Sequence, residues 1–181
     1  NIESLSHLTG TKADSKWIGI APFATHDGKI YPLEKMTKVI GALSSAPHVK
    51  IFLFGGGKKE TEILLEWEKQ YPSTVCIAGK LKWDTELALM SHLDVMLSMD
   101  SSNMHLASLV GIPVVSIWGA THPHAGFMGW KQSTDNAIQT DLPCRPCSIF
   151  GNKPCLRQDY ACLQEITPDQ IVNKLKTFIY V

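Results

Sequence analysis

The chain has 181 residues, 17 basic against 17 acidic, and its formal net charge is zero. That balance argues against nucleic acid as the main partner, since binding a phosphate backbone needs a basic excess. No apolar run approaches the ~20 residues that span a bilayer and no signal peptide is visible, while five Cys are too few to staple a secreted scaffold of this length. Composition therefore points to a cytoplasmic α/β protein with room for a substantial core.

Residues 1–16 are polar, begin without Met, and read as a linker or arm, with nothing in them that predicts packing before Trp17. The chain can thus be a piece of a longer protein. Trp17 to Phe23 is a first apolar strand closed by Pro22, and Ala24 to Tyr31 a polar loop. Pro32 then suits a first helical position, because its missing N–H costs nothing there. Leu33, Met36, Val39, Ile40 and Leu43 recur at helical spacing and leave Glu34, Lys35 and Lys38 for water.

Val49 to Phe54 is a second strand that runs into Gly55-Gly56-Gly57 and a helix from Lys58 to Gln70. Three glycines at that junction permit close backbone approach to a ligand, but equally a permissive turn, and they form neither a Walker A loop nor a full dinucleotide fingerprint. Val75 to Ala78 is a third strand, followed by a helix to His92 capped by Asp84 or Thr85; Cys76 there reads as a small core residue.

The most informative stretch is Asp94 to Gly119. Val95 to Met99 is an apolar strand; Asp100, Ser101, Ser102, Asn103 and His105 crowd the junction; a helix follows to Val110 and Gly111; and Pro113 opens a second strand ending at Trp118-Gly119. This is one βαβ unit with its polar residues at the C-terminal end of the first strand, where helix amides and the helix dipole favour an anion. The plain alternative is an N-capped helix with an incidental His.

Next come the Gly-, His- and Pro-rich loop 119–127, an edge strand over Ala137 to Gln139, an irregular Cys-rich segment 141–165, and a final helix. That helix opens on a capping box at Thr167 to Gln170, with Pro168 at its first position. Strands too apolar to be half exposed, alternating with helices, predict a parallel sheet covered on both faces: a doubly wound, Rossmann-like α/β domain over 17–181. Loops 24–31, 55–60, 79–84 and 100–105 then gather on one edge, with 119–126 beside them.

Taken together, several motifs in order resemble glycosyltransferase family 9, the ADP-heptose:lipopolysaccharide heptosyltransferases, in the C-terminal half. They are Pro22 with Lys29-Ile30-Tyr31-Pro32, the Gly-rich turn leading to Glu60, Asp100-Ser101-Ser102-Asn103-Met104-His105, and Gly119-Ala120-Thr121-His122-Pro123. One departure is Ser102, where many members have Gly.

The resemblance implies one half of a GT-B fold, carrying the nucleotide-sugar donor, here ADP-heptose. The acceptor, a lipid-A-linked oligosaccharide, and the catalytic base would belong to a missing N-terminal domain. It also implies an inverting transfer to the lipopolysaccharide inner core, no catalytic metal, and an inactive fragment. The enzyme would be cytoplasmic and peripheral at the inner membrane of a Gram-negative bacterium. By the same implication Lys29 meets the pyrophosphate, Glu60 the ribose, Asp100 the sugar hydroxyls, and the amides of Ser101, Ser102 and Asn103 the phosphates. His105 orders that loop or touches phosphate, and Thr121 reaches phosphate from the neighbouring loop. A transferase using another nucleotide sugar and a non-catalytic nucleotide-binding module are the alternatives.

Cys144, Cys147, Cys155 and Cys162 follow a C-x2-C-x7-C-x6-C pattern. Four thiolates in an irregular stretch could hold a structural zinc, form a transiently oxidised pair or stay free.

Overall fold

A computed structural model describes residues 5–180. Six strands form one sheet in the order β3-β2-β1-β4-β5-β6: β1 (Lys16–Ala21), β2 (Val49–Leu53), β3 (Thr74–Cys76), β4 (Val95–Met99), β5 (Val114–Trp118) and β6 (Ala137–Gln139). Every neighbouring pair is parallel. The chain runs outward to one edge through β1, β2 and β3, returns to the centre at β4, and then runs to the other edge. The switch point therefore lies between β1 and β4, where the loops after two adjacent strands part and leave a crevice.

Seven α-helices lie among the described residues: α1 (Ser6–Thr9), α2 (Leu33–Ser44), α3 (Gly57–Gln70), α4 (Trp83–Met90), α5 (Ser102–Leu109), α6 (Ala161–Gln164) and α7 (Pro168–Ile179). The pleat divides the core between the two faces. Ile18, Ile20, Ile51 and Leu53 point to a layer containing Met36, Ile40 and Leu43 of α2, Leu64 of α3, and Ile171 and Leu175 of α7. Trp17, Ala21 and Phe52 point the other way, to Leu89 and Met90 of α4 and Met104 and Ala107 of α5. Central strands buried on both faces explain why they read as unbroken apolar runs.

Local signals held at several element ends. Thr167 caps α7 in a reciprocal box with Gln170, Pro168 stands at the first turn, and Gly111 takes φ +82° after α5. Others shifted. Pro32 is the N-cap of α2 and not its first residue, and α4 starts one residue before Asp84, whose carboxylate turns to the Thr85 amide and hydroxyl.

The expectation that nothing packs before Trp17 needs correcting. Leu5 is buried against the α4/α5 side of the sheet, and the buried Thr9 hydroxyl donates to the Leu5 carbonyl at 3.1 Å. Residues 1–4 of the expected arm lie outside the described residues.

Candidate functional site

Parallel register fixes where the polar loops meet. Ala21 pairs with Ser98, so the chain leaves β1 and β4 side by side at the same edge. The two segments that follow, 23–29 and 100–105, face one cleft of about 730 Å³. Gly55, Gly56 and Glu60 line it from the β2–α3 junction, and Leu81, Trp83 and Glu86 from the segment around the start of α4.

At the floor, Lys29 Nζ lies 3.0 Å from Asp100 Oδ2. Lys29 comes from a short 3₁₀ turn, Asp27–Lys29, held by a bond from the Ile30 amide to the Asp27 carbonyl. Asp100 is 4% exposed, and its Oδ2 also accepts the Thr121 hydroxyl at 2.8 Å. A buried carboxylate needs such partners, since an unpaired charge there is costly.

The N-terminus of α5 opens beside this pair. Ser101 is the N-cap, but its hydroxyl makes no capping bond and sits 3.2 Å from Ser98 Oγ. The first amides of α5 are therefore not covered by the cap side chain, and they add partial positive charge to that of Lys29. Ser101, Ser102, Asn103 and the exposed His105 all line the cleft.

Glu60 is placed by α3. Gly57 adopts φ +71° and starts the helix, and Glu60 Oε2 accepts the Gly56 amide at 2.8 Å. A Cβ on Gly55 would come within 3.1 Å of Glu60 Oε2 and 3.3 Å of the Phe23 ring. Glycine here lets the backbone run close beneath the carboxylate.

Thr121 stands apart from the other expected site residues. It is fully buried and lies outside the cleft lining, so the structure places it as the hydrogen-bond donor beneath Asp100.

Sequence reasoning missed part of the wall. Ile149 and Phe150, from the Cys-rich segment, line the cleft although both are largely exposed, and the Phe150 ring lies tilted against Phe127, another lining residue, with 5.8 Å between ring centroids. An apolar pair inside an otherwise polar irregular stretch was the available signal. Glu86 was missed too; burial pushes its carboxyl above the usual glutamate range.

The four cysteines of that segment border one small recess, and all are free thiols. Burial raises the Cys162 thiol to about 11, despite the opposing pull of Arg145. Burial also opposes ionisation of Cys155, yet the backbone amides of Tyr160, Arg157, Gln158 and Asp159 outweigh it and lower that thiol. Among the described residues no group of three or more His, Cys, Asp or Glu side chains is arranged to hold a metal ion, so of the alternatives open for these cysteines the zinc set is not assembled in this geometry.

Sheet order and cleft position define a Rossmann-like α/β domain with its crevice at the carboxyl ends of the central strands. The chain belongs to glycosyltransferase family 9 (heptosyltransferase), whose family model matches residues 3–156.

It is 25% identical over 170 residues to lipooligosaccharide heptosyltransferase 2 of Campylobacter jejuni subsp. jejuni serotype O:6, an alignment covering 91% of this chain and 52% of that protein. Among solved structures, E. coli ADP-heptose lps heptosyltransferase II superposes with a TM-score of 0.75 at 18% identity, over 98% of this chain and 50% of that one. E. coli heptosyltransferase WaaC with ADP gives 0.67 at 18% identity, over 91% and 44%. The chain thus spans about half the length of the relatives it matches.

Proposed function

We propose that this chain is the donor-binding half of a heptosyltransferase, and that its cleft holds the nucleotide diphosphate of an ADP-heptose. The observation that carries the reading is the convergence of Lys29, Asp100, the amide end of α5 and Glu60 on one cleft at the switch point. Two relatives have names that carry a nucleotide donor or product, ADP-heptose in one and ADP in the other.

In this reading the Lys29 ammonium and the α5 amides neutralise the diphosphate, and they do so most strongly as it departs with its developing charge. Among the described residues both side-chain partners of Asp100, Lys29 and Thr121, use Oδ2, so Oδ1 remains to accept a sugar hydroxyl. Glu60 spends Oε2 on the Gly56 amide and offers Oε1 to the ribose. His105, on the first turn of α5, contacts phosphate or steadies the 100–105 turn. The base that activates the acceptor, and the site for a lipid-A-linked sugar, belong to a further domain facing the cleft. Transfer inverts the anomeric centre, and the 181 residues alone bind donor without transferring sugar. No helix among the described residues is long and apolar enough to cross a membrane; we place the work at the cytoplasmic side of the inner membrane, where a lipid-linked acceptor is reached peripherally.

Calorimetry with ADP tests this. The folded chain gives a saturable heat, Lys29→Ala weakens binding about tenfold by removing a charge-assisted contact, and Lys38→Ala on the exposed face of α2 leaves it unchanged. Absence of heat at millimolar ADP in a verified folded sample, or equal effects of the two substitutions, overturns the assignment.

A further inference from the structure

The Lys29–Asp100 pair does not hold itself in place. Both residues are tied to the turn after β5, residues 119–121, by different groups. The Thr121 hydroxyl fixes Asp100, while the Ala120 amide donates to the Gly28 carbonyl at 2.8 Å, next to Lys29. That turn is in turn gripped by the Cys-rich segment at all three of its carbonyls. Arg145 Nε donates to Gly119 O at 2.6 Å and Arg145 Nη2 to Thr121 O at 2.9 Å, and the amides of Cys147 and Ser148 reach Ala120 O at 3.2 and 3.3 Å.

The guanidinium is anchored from the other side by Gln139 Oε1 at 3.1 Å and by the Thr140 carbonyl, both at the end of β6. Its planar fork thus joins the ends of β5 and β6 through one side chain, which a lysine ammonium cannot reproduce. Gly119 leaves no slack there, because a Cβ at that position would run into the Gly28 carbonyl and Leu163.

We infer that Arg145 is a positioning residue for the donor site: it sets the 119–121 turn, and through Thr121 and Ala120 it sets the Lys29–Asp100 geometry. Its relevance to donor binding rests on the function proposed above; its control of the ion pair does not. The segment serves the site from a distance, since Arg145 itself is not among the cleft-lining residues. Loss of the fork lets the turn drift, Thr121 leaves Asp100, and Lys29 is no longer held at 3.0 Å from its partner.

Two readouts on the same proteins test it. In the first, the full chain is pulsed with acetic anhydride without nucleotide, and the labelling of Lys29 is compared with that of Lys12, which pairs with Asp94 at the opposite end of the sheet. Arg145→Lys, which cannot reproduce the fork, raises the Lys29:Lys12 ratio about threefold, because a lysine released from its carboxylate presents its amine more openly to the anhydride, which acylates it and loses acetate. General loosening of the fold would move both lysines, and an unchanged ratio overturns the inference.

In the second, ADP affinity is measured for Arg145→Lys, Thr121→Val and the double variant. Each single change weakens binding about five- to tenfold and the double is no weaker than the worse single, as two steps of one chain require. Effects that multiply, or a Kd within twofold of wild type in Arg145→Lys, overturn it. Should wild type bind no ADP, the donor assignment fails while the labelling ratio still decides the role of Arg145. If Arg145→Lys does not fold, Gln139→Ala keeps the guanidinium but frees one side of it, and the same ratio must rise or the inference falls.

Discussion

Two lysine–aspartate pairs bracket the β1–β4 interface, one at each end, and they share chemistry but not circumstances. Lys12 meets Asp94 at 3.1 Å where the strands begin, and Lys29 meets Asp100 at 3.0 Å where they end. At the first end the side chains are 36% and 20% exposed; at the second, 18% and 5%.

Their other partners differ more. Asp94 Oδ2 also accepts the Trp17 amide at 2.7 Å and Lys16 lies 3.8 Å from Oδ1, so that carboxylate fastens the start of β1. Asp100 is fastened by a hydroxyl from a neighbouring loop and looks onto a cleft and a helix N-terminus. Pair distance therefore says little about role. What marks a site is a charge held in place by groups that leave room for something else.

The comparison breaks most visibly at Asp100. Asp100→Ala strands Lys29 and the buried Thr121 hydroxyl together, and it costs about 2–3 kcal/mol, less than a fully enclosed pair because Lys29 can swing toward the open cleft. Thermal unfolding should show a fall of roughly 5–10 °C for a chain of this size, with ADP binding lost at the same time. A variant of unaltered melting temperature would mean that the pair contributes nothing to the fold.

Asp94→Ala sharpens the contrast from the other end. It removes the acceptor for the Trp17 amide and a half-exposed ion pair, which is worth about 1 kcal/mol, mostly from the hydrogen bond. Denaturant titration should find that loss while ADP affinity stays within about twofold of wild type, since effects at distant sites without shared partners are nearly independent. A parallel fall in both would erase the distinction drawn between the two ends.

The ends of the strands were readable from sequence because periodicity and helix signals act locally. Apolar runs such as Val95 to Met99 and the Thr167 to Gln170 box each specify their own element without distant help. From such elements the parallel sheet follows, and with it the edge on which Lys29, Glu60 and Asp100 gather.

What escaped was set by contacts between distant segments. Thr121 has the residue type of a phosphate contact, and only the position of Asp100 relative to the β5 turn turns its hydroxyl inward. Likewise Ile149 and Phe150 carry no period that would announce a cleft wall, and Arg145 reads as a loop cation until its four acceptors are seen. Four closely spaced cysteines drew attention to metal chemistry, whereas the residue of that segment with the most to hold is the arginine between the first two.

The smallest expected effect concerns Glu86, a cleft carboxyl whose ionisation burial resists. Its folded-state pKa lies above the unfolded value, so between the two the folded chain binds more protons than the unfolded one and stability falls as pH rises. Glu86→Gln removes that penalty. The variant should be more stable than wild type at pH 7, and the difference should shrink toward pH 4, where the wild-type carboxyl is largely neutral in both states. A stability difference that is constant across this range, read by thermal melts at both pH values, would show that Glu86 ionises without cost. The cleft beside α4 would then be as well hydrated as the surface around Asp94. A shrinking difference instead puts the drier wall of the cleft at α4 and the charged one at Lys29 and α5, the polarity a ligand with an apolar base at one end and phosphates at the other would match.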